Sequence, residues 1–245
     1  MLSYQNSEMY DPIKLSNITE KIVASGNKRK YYRFRPTRFY GGIATADTVG
    51  CNLRCIFCWS GDSVWHPNKT GDLYSPEEVA DRLHEIAYTY GYHQIRVSGG
   101  EPTIGRSHLL ELLSLIDKHL LFILETNGIL LGVDETYVEE LSSFSNLHVR
   151  VCLKGSTPEE FTWFTACDEK GFEYQLQSLV NLKKYRVSFH IALVTLSKYK
   201  LDLYQKLREM GLGKTLIEEE EIKLYPKVKE RLRRRGVLEE FLQNL

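Results

Sequence analysis

Residues 147–154 read Leu147-His148-Val149-Arg150-Val151-Cys152-Leu153-Lys154. Side chains alternate across a strand, so Leu147, Val149, Val151 and Leu153 share one face and His148, Arg150, Cys152 and Lys154 the other. A strand sandwiched between two helix layers is apolar on both faces. This one has an apolar face suited to outer helices and a polar face that needs water, a ligand or charge partners. The split recurs further on: Val187, Phe189, Ile191 and Leu193 oppose Ser188, His190, Ala192 and Val194, and Ile222, Leu224 and Pro226 oppose Glu221, Lys223 and Tyr225. Edge exposure explains one such strand more easily than three. The expectation is a barrel or partial barrel whose lumen holds the site, rather than a doubly wound open sheet.

Outward from there the chain alternates strand and helix. Strands are expected at 43–49, 93–98, 121–126, 147–154, 187–195 and 221–226. Ser75-Pro76-Glu77-Glu78 is a capping box with proline at the first helical position, and Thr157-Pro158-Glu159-Glu160 repeats it. Apolar residues in helical step follow Ser75 (Val79, Leu83, Ile86, Ala87) and recur at Leu109, Leu112, Leu113 and Ile116, in a short helix over 134–142, at Phe172, Leu176 and Leu179, and at Tyr199, Leu203, Leu207 and Met210. Six alternating strands argue for a parallel α/β sheet with right-handed crossovers. Residues 1–42 read as an N-terminal extension packed on the barrel, 43–226 as the barrel, and 227–245 as a C-terminal helical tail.

The first strand runs into Gly50-Cys51-Asn52-Leu53-Arg54-Cys55-Ile56-Phe57-Cys58-Trp59. Three thiols in one short loop hold metal on one side only. A [4Fe–4S] cube normally takes four cysteines, so three leave one iron open. The alternative is a structural zinc site closed by a fourth ligand such as His66. In parallel α/β folds, sites form where strands end at their C-terminal edge. The cysteine loop, Gly99-Gly100-Glu101-Pro102, Glu125-Thr126-Asn127-Gly128 and Lys154-Gly155-Ser156-Thr157 each follow a strand, and so fall on one rim. Zinc explains none of the other rim loops.

Composition narrows the rest. The chain has 245 residues, with 32 Lys plus Arg balanced by 32 Asp plus Glu. No global field points to nucleic acid or an anionic membrane. Five cysteines, odd in number and clustered, suit a reducing compartment and a metal rather than a disulfide scaffold. The first residues carry no basic stretch followed by an apolar run, and the longest apolar run, 120–124, is far too short to span a membrane. A cytoplasmic protein is expected. Lys28, Arg29, Lys30, Arg33, Arg35 and Arg38 interleave with Tyr31, Tyr32, Phe34, Phe39 and Tyr40. Such a stretch either stacks on single-stranded nucleic acid or forms an edge strand covering a barrel end; the neutral net charge favours the strand.

Cysteines spaced C-x-x-x-C-x-aromatic-C after the first strand, with Gly-Gly-Glu-Pro after the second, resemble the radical S-adenosylmethionine (SAM) superfamily over roughly residues 43–226. The resemblance implies a partial (β/α)6 barrel. It implies that Cys51, Cys55 and Cys58 ligate three irons of a [4Fe–4S] cluster, and that SAM binds the fourth through its amino and carboxylate groups. Phe57 matches an aromatic near the adenine, and Gly99, Gly100, Glu101 and Pro102 match the segment receiving the methionyl amino group. The implied reaction is one-electron cleavage of SAM to methionine and a 5′-deoxyadenosyl radical, which takes hydrogen from a substrate. An external electron donor of flavodoxin or ferredoxin type is implied as well.

Within the superfamily the chain most resembles the activating enzymes of glycyl-radical enzymes. Thr126 and Asn127 belong to a Glu-Thr-Asn-Gly turn similar to theirs, and Leu153-Lys154 resembles an Asp-Leu-Lys motif in which Cys152 stands where the aspartate would be. Lys154 is the expected partner of the SAM carboxylate, His190 is placed near the nucleoside, and Leu224-Tyr225-Pro226 resembles the final strand. Cys152 and Cys167 lack cluster spacing and read as buried free thiols. Arg150, Lys154, His190 and Lys223 are expected to face the lumen together, which points to an anionic substrate group. Three classes of function follow: a protein substrate that receives a radical, a small molecule or tRNA nucleobase, or a non-catalytic metal-bearing scaffold. The basic end of the C-terminal helix, Lys227 to Arg235, reads as a solvated face or as an RNA contact.

Overall fold

The computed structural model describes residues 9–197 and 200–243. The strands are β1 (Ala24–Ser25), β2 (Lys28–Thr37), β3 (Ile43–Thr48), β4 (Asp72–Tyr74), β5 (Gln94–Gly99), β6 (Leu121–Thr126), β7 (Leu147–Lys154), β8 (Ser188–Val194) and β9 (Ile217–Glu219). The helices are α1 (Pro12–Val23), α2 (Asp62–Trp65), α3 (Pro76–Tyr90), α4 (Arg106–Leu115), α5 (Ile129–Val133), α6 (Glu135–Leu141), α7 (Pro158–Thr165), α8 (Lys170–Lys184), α9 (Leu201–Glu209), α10 (Pro226–Arg234) and α11 (Leu238–Gln243). They form one nine-stranded sheet in the order β1-β2-β3-β5-β6-β7-β8-β9, with β4 also on β2. The run from β3 to β9 is parallel, and β2 joins β3 antiparallel. This is the expected partial barrel, with helices on its outer face.

The alternation sorts as expected on β7 and β8. Ala44 and Ala46, Ile95 and Val97, Phe122 and Leu124, Val149 and Val151, and Ile191 and Leu193 are buried in the main core. Against them lie Val79 and Leu83 of α3, Leu109 and Leu112 of α4, Leu176 and Leu179 of α8, and Leu203 and Leu207 of α9. Each such side chain contributes about 1.5–3 kcal/mol by leaving water. Ser75 caps α3 with the full reciprocal box. Thr157 caps α7 through Glu160 N–H, but the Glu160 carboxylate turns away from the box to the neighbouring rim.

Two expectations are corrected. The basic-aromatic segment is a strand, as expected, but not an edge: as β2 it lies within the sheet between β3 and the short β1 and β4, where period-two alternation sends Arg33 and Arg35 to the luminal face beside Asp47. The sixth parallel strand is Ile217–Glu219, not 221–226. Ile191 N–H and Glu220 N–H bond to the Leu216 and Leu193 carbonyls, so pairing with β8 is complete before residue 221. Ile222 and Leu224 pack instead on a second small core of Ile56, Trp163, Phe164, Val194, Val228, Leu232 and Phe241. Pro226, lacking an N–H, opens α10. Tyr199 lies outside the described residues. No helix among the described residues is long and apolar enough to cross a membrane.

Candidate functional site at the sheet's C-terminal rim

The cysteine loop leaves β3 and is held at both ends by backbone bonds. Gly100 N–H donates to the Thr48 carbonyl (2.9 Å), Glu101 N–H to the Gly50 carbonyl (2.7 Å), and Ile56 N–H to the Phe164 carbonyl (2.8 Å). A Cβ on Gly100 would lie 2.0 Å from the Gly50 oxygen, so only glycine lets the two rim loops approach this closely. Cys55 is buried, while Cys51 and Cys58 are half-buried. Burial, and then the charges of Glu101 and Cys55, raise the Cys51 pKa well above the ordinary thiol range. Burial pushes Cys55 up to about 12, opposed by Lys154 and reinforced by Cys58. Without a cation beside them, Cys51 and Cys55 stay protonated at neutral pH.

Among the described residues, no three His, Cys, Asp or Glu groups converge on a single ion. His66, the closing ligand of the zinc alternative, sits exposed just past α2. A four-iron cube spaces its thiolates more widely than one ion does, and the donor set suits it: three thiols on one loop, open on one side. Asn52 Nδ2, in the same loop, is buried with no partner among the described residues.

Glu101 is fully buried at the rim. Its Oε1 accepts from Thr103 N–H (3.1 Å), Thr103 Oγ1 (2.6 Å) and Thr126 Oγ1 (2.6 Å), and its Oε2 from Asn127 N–H (2.8 Å). The side chain thus fastens the β5 loop to the β6 loop. Asn127 Nδ2 carries the connection on to Asn52 Oδ1 (2.7 Å) and approaches Cys51 Sγ (3.8 Å). Gln175 of α8 completes it, donating to the Asn127 carbonyl (2.5 Å) and Cys152 carbonyl (3.0 Å) and accepting Lys154 N–H (3.1 Å). Glu160 does the same one strand further: it accepts from Ser156 Oγ (2.9 Å), Thr195 Oγ1 (2.6 Å) and Leu196 N–H (2.7 Å), tying the β7 loop to the β8 loop.

Lys154 ends β7 with its Nζ 5.8 Å from the centre of the Phe57 ring, which packs edge-on against Phe164 at 4.8 Å. Burial disfavours its charge, but Cys152, Glu220 and Cys55 outweigh this and raise its pKa. Gly99, Gly100, Phe57 and Lys154 are half-buried near the thiol loop, and Ser60 Oγ donates to the Gly99 carbonyl (2.8 Å). Pro102 is buried.

The luminal face is charged but paired. Arg150 grips Glu218 through two 3.0 Å bonds, donates to Cys152 Sγ (3.1 Å) and lies 3.5 Å from Glu220. His190 Nε2–H donates to Glu218 (3.1 Å), which leaves Nδ1 to accept from His148 Nε2–H (2.7 Å), whose Nδ1 in turn accepts from Ser188 (2.8 Å). Burial and the neighbouring His190 lower the His148 pKa. Arg96 pairs with Glu125 (3.1 Å), and Arg33 and Arg35 with Asp47 (2.7 and 3.0 Å). Lys223 does not join this face: it is exposed and pairs with Glu221 outside the sheet. The expected cationic lumen is therefore balanced by carboxylates. His190 lies four residues below the end of β8, roughly 13 Å from the rim at ~3.3 Å per residue. Cys152 is half-buried in the lumen, and Cys167 is buried beside Tyr10.

Sequence reasoning missed Glu218, Gln175, Arg33 and Arg35. Period-two spacing was the available signal for the arginines; nothing local marks Gln175, whose partners lie on two strand ends.

Residues 46–210 match the radical SAM superfamily. A protein of Archaeoglobus fulgidus provisionally named a GTP 3′,8-cyclase is 33% identical over 138 residues, covering 53% of this chain and 42% of the relative. A Methanocaldococcus jannaschii protein provisionally named a glycyl-radical enzyme activating enzyme is 28% identical over 146 residues, covering 58% of this chain and 50% of the relative. The chain thus spans about half the length of these curated relatives. The solved structure of anSMEcpe with bound AdoMet and a Cp18Cys peptide superposes with a TM-score of 0.55 at 22% identity, over 82% of this chain and 60% of that one, a likeness of fold. With the match running over more than half of its length, and on an enzyme fold whose rim carries three thiols beside a Gly-Gly loop, this chain belongs to the radical SAM superfamily.

Proposed function

We propose that Cys51, Cys55 and Cys58 hold three irons of a [4Fe–4S] cluster, and that SAM binds at the fourth. When bound, the cluster supplies one electron to the SAM sulfonium, giving methionine and a 5′-deoxyadenosyl radical that takes hydrogen from a substrate. The observation that carries this reading is the one-sided donor set: three thiols on one loop, one buried and two half-buried, with a close-packed Gly-Gly loop against it. Lys154 faces that loop and is the group to receive the SAM carboxylate; Phe57 would flank the adenine. The backbone of Gly99 and Gly100 would take the methionyl amino group. Glu101, Thr126 and Asn127 are engaged with one another, so their part is to hold the rim loops in register. Family membership sets aside the non-catalytic scaffold.

The paired lumen favours a substrate that offers both donors and acceptors over one bound by anionic charge alone. A radical-accepting protein segment, as in the activating enzymes the motifs resemble, fits that description, and so does a nucleobase. The chemistry is tested by anaerobic reconstitution, reduction with dithionite and addition of SAM. We expect 5′-deoxyadenosine from the native chain and none from Cys55→Ala. A fully loaded cluster that never cleaves SAM would overturn the proposal.

A further inference from the structure

Helix α10 divides its cations between two faces. Val228, Arg231 and Leu232 recur at helical spacing and turn inward, while Arg235, exposed just past the helix end, reaches back to Trp65. Val228 and Leu232 pack with Ile56 of the cysteine loop. Arg231 donates to the Cys58 carbonyl (2.6 Å), and Trp65 is surrounded by the guanidinium groups of Arg54, Arg231 and Arg235 at 5.6–5.8 Å. Lys227, Lys229, Arg233 and Arg234 turn outward and are exposed. Lys227 meets Asp62, and Arg234 meets Glu230. Lys229 and Arg233 have no ion pair among the described residues. Residues 226–235 carry six Lys or Arg and one Glu, in a chain whose net charge is zero.

We infer that the outward face of α10 is the docking surface for a small acidic one-electron carrier protein of the flavodoxin kind. The inference rests on the reading of Cys51, Cys55 and Cys58 as cluster ligands. It adds where the electron enters. A helix with its side chains is ~10–12 Å across. A partner on the outer face of α10 therefore stands about one helix diameter from the Cys58 backbone. Electron-transfer encounters use small interfaces steered by complementary charge rather than large apolar ones. This patch is cationic, small, and joined to the thiol loop through Arg231. RNA would also be drawn to cations, but it gains nothing from adjacency to the thiols, and the chain as a whole has no basic excess. In the transfer, one electron leaves the carrier's anionic flavin hydroquinone, which becomes the neutral semiquinone, and the cluster gains one negative charge. No bond is made or broken between the proteins and no proton need cross.

The experiment compares two reductants on the reconstituted enzyme, dithionite and an acidic flavodoxin in its hydroquinone form, at 50 and 300 mM salt. The variant Lys229→Glu/Arg233→Glu/Arg234→Glu should lower the flavodoxin-driven second-order rate about tenfold or more at 50 mM salt and flatten its salt dependence. Its dithionite-driven rate should stay within about twofold of the native rate. The control Lys118→Glu, an exposed position just before β6 at the strand ends opposite the cysteine-loop rim, should change neither. Circular dichroism checks folding, and Lys229→Glu alone should give a smaller loss of the same kind if the triple variant is unstable. Fluorescence anisotropy of labelled flavodoxin reads the surface without turnover: weaker binding by the variant supports the site even if dithionite gives no SAM cleavage, a failure that would strike the proposed chemistry instead. Unchanged flavodoxin rates and binding would overturn the inference. So would a variant that loses affinity for a single-stranded RNA oligomer while flavodoxin reduces it normally.

Discussion

Glu101 fastens the β5 loop to the β6 loop with a single buried side chain. Its carboxylate accepts from both threonine hydroxyls and two backbone N–H groups across two loops. In Glu101→Gln one oxygen becomes an NH2 that faces donors. A hydroxyl can rotate to accept from it, but a backbone N–H cannot, and each orientation of the amide sets its NH2 against one, Thr103 N–H or Asn127 N–H. An unsatisfied buried donor costs about 1–3 kcal/mol, so a loss of roughly 2 kcal/mol is expected in urea titrations, with an unchanged midpoint as the contrary result. The position of this residue on the rim was legible, because Gly99-Gly100 ends an apolar strand. Its role was not. A carboxylate on a rim reads as a ligand group until Thr126 and Asn127, supplied by another strand, are seen to occupy it. Cys51, Cys55 and Cys58 were legible for the opposite reason: their relation is written in consecutive residues.

Elements behaved the same way. β6 and β7 fall where the sequence places them, because buried parallel strands bounded by Asn-Gly or Gly carry both a composition and an end signal. The last parallel strand did not, because Ile222 and Leu224 alternate with polar residues to serve the C-terminal core instead of the sheet. That core makes α10 and α11 part of the cysteine-loop support. Phe241 lies 5.9 Å from Trp163 and 6.5 Å from Phe164, ring centre to ring centre. Phe241→Ala removes its packing at a cost of about 3–5 kcal/mol. Hydrogen exchange should quicken through 226–243 and at Ile56, whose N–H bonds Phe164, while α3 keeps native protection. Equal quickening in α3 would mean that the tail is not a separate cooperative layer.

At the scale of the molecule, strand–helix alternation pointed to a parallel sheet, and side-chain alternation to its one polar face. The antiparallel β2 escaped, since nothing in residues 28–37 names its neighbour. Its attachment has a measurable consequence. Tyr31 and His108 join β2 to α4: His108 Nδ1–H donates to the Asn27 carbonyl (2.9 Å), so Nε2 accepts from the Tyr31 hydroxyl (2.9 Å). Burial lowers the His108 pKa from 6.5 to about 4. The unfolded chain therefore takes up a proton near pH 6.5 that the folded chain refuses until about pH 4. Stability contributed by the neutral ring is present above that window and declines as pH falls through it, by up to ~1.4 kcal/mol per pH unit. His108→Asn should be less stable at pH 7 and show a flatter profile from pH 6.5 to 4 in denaturant titrations at several pH values. A slope equal to that of the native chain would remove His108 as its source.

Among the described residues, β1 and β9 end the sheet without pairing to each other. A closed ring of strands would impose a diameter on whatever reacts inside it. An unclosed one imposes only a reach: the reacting atoms must arrive at the rim, while the rest of a long molecule can trail out through the side. Under the proposed function, the described residues leave an open seam rather than a chamber beside the reacting atoms.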